Sequence, residues 1–493
     1  MKLASRYLFL TAVLLLGGVF LIFHKPLFAQ QAKPNVLFIS IDDLRPTLGA
    51  YGDEIAVTPN IDQLAKSSVV FTRHYVQQPS CAPSRTSMLT GLRPDEVEVT
   101  NHNTHFRDTK PEVVTLPELF KNEGYQSIGI GKIFHFRHGF QDPGSWSSEI
   151  YGSNRGVKRN DYALPENQHG GKAAAVEKAD VPDYAYPDGR YTDVAIDFLR
   201  RFELSEEPFF MAVGYQKPHL PFAAPAIYWD LYDRDDFYPV EHPQRPLNAP
   251  DVAFHQDNEL RGYTDVPDRG PIPVEQIKEL RHGYYATVSF IDAQVGKLIE
   301  TLEELGLRDN TIIVVWGDHG FHLGEQDIWG KSTNYELDAH APFMVSVPGL
   351  TDHGAYSHAF VESIDIYPTI AELAGLKPAG ELSGRSVRPL LEDPDAEWKK
   401  AAFNQFPRPY GAAIGGRSPV THMGYAVRVD DWRYIGWYNV DTEVFEYREL
   451  YSMKDSNIES VNVSGKAEYA DIEAKLLELL KQYKGQNYNN IYN

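Results

Sequence analysis

Four short apolar runs, each long enough for one buried strand, constrain the fold of this chain more than any other feature of its sequence. They lie at Val36–Ile41, Ser127–Gly131, Phe209–Gly214 and Thr311–Trp316. Helical patterns separate them, and the longest one repeats apolar residues at three- and four-residue steps between Pro273 and Gly306. The sequence therefore predicts an α/β fold, with a large, mixed but mostly parallel sheet sandwiched by helices.

The length of the chain predicts a second, smaller domain. A chain of 493 residues exceeds what a single hydrophobic core usually serves. Near the C-terminus, two strands are predicted at Gly424–Val429 and Trp432–Tyr438, followed by an amphipathic helix at Ile472–Tyr483. We therefore predict a large domain over residues 33–391, which carries the candidate site, and a C-terminal α+β domain with an antiparallel sheet over residues 392–493.

Two stretches have the composition of long insertions. Residues 139–190 and 229–272 are rich in Gly, Pro, Asp, Asn and aromatic residues and show no sustained periodicity. Long irregular loops in a compact domain usually serve function. We expect both stretches to be irregular.

Charge and cysteine content exclude several classes of protein. The chain has 68 acidic and 47 basic residues and a formal charge of −21, which argues against binding to nucleic acid or anionic lipid. An anionic substrate is not excluded, because a pocket can be locally basic. The single cysteine, Cys81, forms no intramolecular disulfide and cannot supply a cysteine-rich zinc site. Cys81 is either a small buried apolar residue or a thiol that takes part in the chemistry of the protein.

The first 29 residues have the pattern of a signal peptide. Lys2 and Arg6 precede an apolar run over residues 8–23, and the small residue Ala29 follows. An uncleaved membrane anchor is the alternative, since the run is slightly short for a span of about 20 residues. We expect cleavage near Ala29, export to the periplasm or out of the cell, and no stable membrane association afterwards.

Charged or titratable side chains follow each of the four strands. They are Asp42 and Asp43, Lys132 and His135, Lys217 and His219, and Asp318 and His319. The carboxyl ends of parallel strands meet at one edge of a sheet, where ligands of open α/β sheets bind. Four unrelated helix caps are the alternative interpretation. We expect instead a single polar centre.

Three carboxylates and one imidazole in this centre indicate a metal site. Asp42, Asp43 and Asp318 would repel one another in a buried crevice, and a cation relieves that repulsion. With His319 they form an oxygen-rich set, which favours one hard divalent cation, calcium or magnesium. Taken singly, Asp43 is also explained by a salt bridge to Arg45, and His319 by a satisfied core histidine.

The segment around the only cysteine carries the most specific motif. From Ser80 to Gly91 it reads Ser-Cys-Ala-Pro-Ser-Arg-Thr-Ser-Met-Leu-Thr-Gly. A Cys–His catalytic pair or an inert buried thiol would explain Cys81 alone, but neither requires Pro83 or Arg85. The Cys-x-Pro-Ser-Arg core and the following Leu-Thr-Gly resemble the signature of the type I sulfatases, in which this cysteine is oxidised after synthesis to Cα-formylglycine.

The resemblance extends over most of the chain. It includes Asp-Asp-Leu-Arg-Pro from residue 42, Lys-Ile-Phe-His from residue 132, Lys-Pro-His-Leu-Pro-Phe from residue 217 and Gly-Asp-His-Gly from residue 317. Within the family, the first three are most similar to motifs of the iduronate-2-sulfatases. The resemblance implies an alkaline-phosphatase-like fold and the hydrolysis of sulfate esters on a uronate-containing carbohydrate, such as iduronate-2-sulfate or ulvan-type units.

The resemblance also implies a covalent mechanism with a metal ion. The hydrated formylglycine at position 81 would attack sulfur, and the sulfated enzyme would then expel sulfate. One divalent cation, calcium rather than magnesium, would lower the pKa of the attacking hydroxyl. Its ligands would be Asp42, Asp43, the modified Cys81, Asp318 and His319. A formylglycine-generating enzyme is implied as the maturation partner.

Five residues match catalytic positions of the family, namely Arg85, Lys132, His135, His219 and Lys331. Arg85 and Lys132 would hold the charges of the metal site and the diol, and Lys132 with Lys331 would compensate the sulfate oxygens. His219 would protonate the leaving sugar oxygen, and His135 would take the proton that regenerates the aldehyde. For Lys331, a solvated loop lysine is the alternative.

The segment from residue 101 to 107 supplies candidate substrate-binding residues. We expect His102, His105 and Arg107 to line substrate subsites, with exposed loop positions as the alternative. Two other functions also remain open. One is a phosphomonoester or phosphonate-ester hydrolase on the same scaffold, although a two-metal phosphatase would use Ser or Thr and more His ligands. The other is a catalytically silent, secreted glycan-binding protein in which Cys81 stays a thiol.

Overall fold

All four predicted strands are present. The computed structural model describes residues 33–136, 140–152, 162–168, 172–205, 207–256 and 259–485, so the predicted signal peptide lies outside the described residues. Residues 35–493 form one compact unit. Its strands are β1 Asn35–Asp42, β2 Val69–Phe71, β3 His74–Tyr75, β4 Gln126–Gly131, β5 Val176–Ala179, β6 Phe209–Pro218, β7 Phe222–Pro225, β8 Thr311–Gly317, β9 His322–Leu323, β10 Trp329–Gly330, β11 Phe343–Ser346, β12 Ala355–Ser357, β13 Val361–Glu362, β14 Ala402–Arg408, β15 His422–Val429, β16 Trp432–Asn439 and β17 Val444–Ser452.

Helices of very different length connect these strands. They are α1 Pro59–Ala65, α2 Cys81–Thr90, α3 Pro94–Val97, α4 Phe106–Thr109, α5 Leu116–Asn122, α6 Pro187–Glu203, α7 Ala226–Trp229, α8 Val274–Glu304, α9 Glu336–Ala339, α10 Ile366–Leu373, α11 Arg388–Glu392, α12 Tyr410–Ala413 and α13 Ala470–Lys484. The start of α5 shows how the sequence sets these limits, because Thr115 and Glu118 form a reciprocal capping box there. None of the described helices combines the length and the apolar character needed to cross a membrane.

The main sheet has seven strands in the order β12-β2-β11-β8-β1-β6-β4. Strands β8, β1, β6 and β4 run parallel to their neighbours in this group, whereas β11 is antiparallel to both β8 and β2. The predicted mixed, mostly parallel sheet is therefore confirmed. Its four central parallel strands are the four apolar runs of the sequence, and their carboxyl ends lie at one edge.

Alternate side chains of β1 enter two different cores, one on each face of the sheet. Leu37, Ile39 and Ile41 pack with α1, α6 and α8. Val36 and Phe38 pack with α2, α5 and α10. Helices therefore cover both faces, which explains why the strand is apolar at nearly every position.

The C-terminal part contains an antiparallel sheet of four strands, β14 to β17, as predicted. On one face, Tyr434 packs against Leu476 and Leu480 of α13. On the other face, Ile435 packs against Ile328, in the segment that leads to Lys331. The sheet thus supports a loop of the candidate site. The predicted division of the chain between residues 391 and 392 remains a prediction.

One expectation about the insertions was wrong. Residues 139–190 include strand β5, which pairs in parallel with β7, and the first turn of α6. The Val-Glu-Lys-Ala sequence of β5 has no apolar run, so only its backbone pairing reveals the strand. The described part of residues 229–272 is irregular, as expected, with short 3₁₀ turns after the end of α7.

A buried arginine of β16 connects the antiparallel sheet to α9. Arg433 Nε lies 2.8 Å from Glu459 Oε1, and the guanidinium also donates hydrogen bonds to Glu336 Oε2 and, at 2.9 Å, to the carbonyl oxygen of Asn334. Arg433 is fully buried. Both carboxylates depend on it for charge compensation, although Arg428 also contacts Glu336 at 3.2 Å.

Replacing Arg433 should destabilise the protein strongly. In Arg433→Met, two buried carboxylates lose a partner, and we expect the free energy of unfolding to fall by about 3–5 kcal/mol. Chemical denaturation measures this loss. The control is Arg200→Met, which removes an exposed ion pair with Asp197 and should cost less than about 1 kcal/mol. Similar losses in the two variants would contradict the assignment.

Candidate active site

The end of β1 directs two consecutive carboxylates to the same place. Side chains alternate between the faces of a strand, so neighbours normally point apart. Here the register of β1 against β6 shifts between Ile41 and Asp42, and Asp43 adopts φ 58°, in the left-handed region. The amide of Asp43 donates a hydrogen bond to Asp318 Oδ1 at 3.0 Å. This turn brings Asp42 and Asp43 to one centre.

Cys81 is the first residue of α2 and is buried. Its Sγ lies 3.3 Å from His319 Nε2 and 3.5 Å from Lys132 Nζ. The preceding Ser80 is extended, so the helix begins at the cysteine itself. A helix N-terminus and a lysine both favour negative charge, which suits an anionic group on or near residue 81.

Arg85 lies one turn after Cys81 on α2 and joins three strand ends. Its guanidinium contacts Asp318 Oδ2 at 2.8 Å and Asp42 Oδ1 at 3.1 Å. It also donates to Ser40 Oγ at 2.8 Å and to the carbonyl oxygens of Lys132 and, at 3.2 Å, Ile133. Arg85 is fully buried. The side chain therefore fixes Cys81 relative to β1, β4 and β8.

Two lysines complete the charge pairing. Lys132 donates a hydrogen bond to Asp42 Oδ2, and Lys331 Nζ lies 2.8 Å from Asp43 Oδ2. Each carboxylate of the centre thus has a cationic partner, since Asp318 pairs with Arg85. The alternative pairing of Asp43 with Arg45 is wrong, because Arg45 pairs with Glu325 at 3.0 Å. Lys331 is buried, so it is not a solvated loop lysine.

The arrangement of donor atoms fits a divalent cation. Ligand atoms of Asp42, Cys81, Asp318 and His319 all lie within 4.8 Å of one another, and so do those of Asp42, Asp43, Cys81 and His219. Burial alone would lower the pKa of His319, but Asp318 and Cys81 raise it to about 10. The centre therefore attracts positive charge even with its lysines and arginine in place. Carboxylate oxygens with one imidazole suit a hard ion.

His219 and Glu259 form a pair at the rim of this centre. His219 Nδ1 lies 2.6 Å from the carbonyl oxygen of Leu220, and Nε2 lies 3.2 Å from Glu259 Oε1. Both partners are hydrogen-bond acceptors, so each ring nitrogen faces an oxygen to which an N–H can donate. Glu259 also pairs with Lys331 at 3.1 Å. Although burial opposes it, Lys331 and His219 hold the pKa of Glu259 well below its usual range.

The surroundings of His135 disfavour a positive charge on its ring. Its ring lies 4.5 Å from that of His102, whose Nε2 is 2.7 Å from Ser80 Oγ. Burial, followed by the neighbouring His102 and Lys132, lowers the pKa of His135 well below its usual value. Among the described residues, none hydrogen-bonds to its Nδ1. The imidazole is therefore neutral near pH 7 and able to accept a proton.

One cavity of about 340 Å³ lies against Cys81 and the two lysines of this centre. The lining comprises Ser80, Cys81, His102, Lys132, His135, Phe136, Lys172, His219, Glu259, Lys331, Ser332, Tyr410 and Ile414. Apart from its histidines, its charged members are Lys132, Lys172 and Lys331, which are positive, and Glu259, which is negative. A cavity of this composition accommodates a small anionic group next to the thiol.

Several predicted residues do not line the cavity. Asp42, Asp43, Arg85, Asp318 and His319 lie behind Cys81 and the two lysines, and three further positions have other roles. Arg107 lies outside its described lining, because its guanidinium pairs with Asp142 at 2.7 Å and Glu118 at 2.6 Å. His105 accepts a hydrogen bond from the amide of Arg107 and caps α4. Lys217 donates to backbone carbonyl oxygens of its own loop. Of the three candidate substrate-binding residues, the structure places only His102 in the cavity.

Sequence reasoning missed Glu259 and Lys172, whereas Tyr410 was a candidate for stacking on a sugar and does line the cavity. Glu259 and Lys172 come from the two stretches expected to be irregular, where no periodicity marks any single residue. Their membership in long irregular segments was the only available signal. Tyr410 opens the short helix α12, and its ring stacks on His255 at 5.1 Å between ring centroids.

The sequence matches the models of two known protein families. The sequence profile of the sulfatase family matches residues 34–376. A second profile, N-sulphoglucosamine sulphohydrolase, C-terminal, matches residues 324–486. The chain belongs to the sulfatase family and is a sulfuric ester hydrolase by class.

One curated relative and two solved structures illustrate the similarity. Iduronate 2-sulfatase of Homo sapiens is 34% identical over 486 residues, which cover 85% of this chain and 88% of the relative. The solved structure of BT4656 with its substrate D-glucosamine-2-N,6-O-disulfate has a TM-score of 0.74 at 24% identity, covering 93% of this chain and 99% of that one. Phosphonate monoester hydrolase of Agrobacterium radiobacter has a TM-score of 0.73 at 22% identity, covering 92% and 96%. The two structures establish the fold alone.

A divalent cation should stabilise the protein through Asp43. We expect excess calcium or magnesium to raise the Tm of chelator-treated protein, because a ligand at 100 times its Kd adds about 2.7 kcal/mol to the folded state. Asp43→Asn should reduce this rise. The exposed control Asp197→Asn, on α6, should keep it. Thermal melts with and without chelator measure both variants, and a full response in Asp43→Asn would exclude Asp43 as a ligand.

Proposed function

We propose that this protein hydrolyses sulfate esters of a uronate-containing carbohydrate, after Cys81 has been converted to Cα-formylglycine. One observation carries the proposal. Residue 81 is the first residue of a helix, and Arg85 pairs that helix with the carboxylates of Asp42 and Asp318. Lys132 and Lys331 line the same cavity as residue 81. The hydrated aldehyde at position 81 would supply the nucleophilic oxygen, which a thiol does not.

Each of these side chains has a separate role in the proposed reaction. Arg85 holds the nucleophile-bearing helix in place. Lys132 and Lys331 face the cavity and compensate the negative charge of the sulfate oxygens. His219, whose two nitrogens both face acceptor oxygens, is ready to give a proton to the leaving sugar oxygen. His135, neutral and buried, is ready to accept one.

Asp42, Asp43, Asp318 and His319, with the modified residue 81, would hold the cation. The ion would lower the pKa of the attacking hydroxyl and polarise the sulfate. We propose calcium as this ion. The oxygen-rich ligand set and the resemblance to the sulfatases support that choice over softer metals.

The identity of the carbohydrate rests on two supports. The relative named iduronate 2-sulfatase covers most of the chain. The cavity also adds Lys172 and His102 to the sulfate-facing lysines, which suits a sugar with a carboxylate beside its sulfate. We further propose that residues 1–29 direct export to the periplasm or beyond, and that a formylglycine-generating enzyme matures position 81.

Replacing the nucleophile should abolish turnover without unfolding the protein. We expect Cys81→Ala to reduce kcat for sulfate release by about a thousandfold or more, because the covalent step is lost. The assay uses a panel of sulfated uronate-containing, carrageenan and ulvan-type oligosaccharides, with phosphate and phosphonate esters included. Ser87→Ala, on the same helix, is the control that should retain activity.

The panel also separates the alternatives. Turnover of phosphate or phosphonate esters in preference to sulfate esters would favour a phosphoester hydrolase on this scaffold. Binding of oligosaccharides without any turnover, by protein from the native host in which residue 81 is still a cysteine, would favour a glycan-binding protein. Sulfate release that survives in Cys81→Ala would overturn the assigned nucleophile.

A further inference from the structure

A second and larger cavity, of about 680 Å³, lies outside the residues assigned above. Its lining includes Arg245, Arg261 and Arg269, together with His255. All four come from the irregular stretch of residues 229–272. The whole chain carries a formal charge of −21, so a cavity lined by three arginines contrasts with the acidic composition of the chain.

The second cavity lies beside the active-site cavity. His255 lines the second cavity, and Tyr410, which lines the first, stacks on it at 5.1 Å. Gly262 also lines the second cavity, and a Cβ on it would lie 3.1 Å from Nζ of Lys172, a residue of the first. Residues that line the two cavities are therefore neighbours at both places.

Arg261 and Arg245 are held in position by the protein itself. Arg261 donates hydrogen bonds to the carbonyl oxygens of Pro267 at 2.8 Å and Gly270 at 3.0 Å. It thereby fixes the turn that presents the exposed Arg269. The guanidinium of Arg245 lies 4.5 Å from the centroid of the Phe254 ring. The Arg245 side chain is thus placed before any ligand arrives, which lowers the entropic cost of binding an anion to it.

Acidic groups compensate part of this charge. Asp268 and Asp327 also line the cavity, and Asp327 Oδ2 lies 3.3 Å from Arg245 Nε. Both members of that pair are exposed, so the pair is weak and a ligand anion can compete for Arg245. Three arginines against two aspartates leave the cavity positive.

We propose that this cavity is a second anion subsite, which binds a sulfate or carboxylate group on a sugar next to the one that is desulfated. Arg245 and Arg269 are its ligand-binding residues. The inference rests on the proposed carbohydrate sulfatase activity. It means that the substrate is a polyanionic oligosaccharide of at least two sugars, not an isolated sulfated sugar.

The test compares two substrates and one double variant. The substrates are a uronate-containing tetrasaccharide sulfated on its first and second sugars, and the same tetrasaccharide sulfated on the first sugar only. In Arg245→Gln/Arg269→Gln, we expect KM for the first substrate to rise about tenfold or more at unchanged kcat, because charge-assisted hydrogen bonds are lost. KM for the second substrate should change less, as should turnover of a small aryl sulfate. Arg200→Gln, an exposed arginine on α6, is the matched control.

Direct binding keeps this test independent of turnover. Calorimetric titration of the doubly sulfated tetrasaccharide into unmatured Cys81 protein should give about tenfold weaker binding in the double variant. If matured wild-type protein releases no sulfate from any substrate, the proposed function fails, and the titration still decides the subsite. Equal affinity in wild type and double variant, equal losses on both tetrasaccharides, or no binding to wild type would overturn the subsite.

Discussion

The structure of the active centre depends on the buried pairing of Arg85 with Asp42 and Asp318. The two carboxylates come from the ends of adjacent parallel strands, and the guanidinium comes from the helix that begins at Cys81. Buried charges of this kind are costly unless every group has a partner. Here the partners lie on three separate elements, so the pairing forms only when the sheet and the helix are correctly placed. Position 81 is thereby held beside the proposed metal ligands.

The outer parts of the fold support this centre. The turn at Asp43, with its positive φ, lets a second carboxylate reach the site from the same strand. The antiparallel C-terminal sheet packs against the segment around Ile328, which leads to Lys331, and Lys331 in turn contacts Asp43 and Glu259. The antiparallel sheet therefore affects the active site indirectly, because it holds Lys331 against Asp43 at the end of β1.

Sequence patterns predicted the local elements and the polar centre, because both follow from residues that are close along the chain or at the ends of strands. The parallel core, the helix after Pro273 and the two C-terminal strands are confirmed. The three carboxylates, which were expected to repel one another unless a cation was bound, are matched by Arg85, Lys132 and Lys331. Such pairings join residues far apart in sequence. Periodicity carries no information about them.

The substrate side of the site was predicted less well for the same reason. His105 and Arg107 lie near His102 in sequence, yet only His102 reaches the cavity. Glu259 and Lys172 enter it from irregular segments whose course is set by long-range packing. The acidic exterior and the cationic cavity are compatible, since the basic side chains are concentrated where an anion is to be bound.

Mass analysis of the peptide that contains residue 81, from enzyme matured in its native host, tests the central claim most directly. The account predicts the mass of a residue whose CH₂–SH group has become an aldehyde, or its hydrate, in protein that releases sulfate. An active enzyme whose peptide carries only unmodified cysteine would contradict the account.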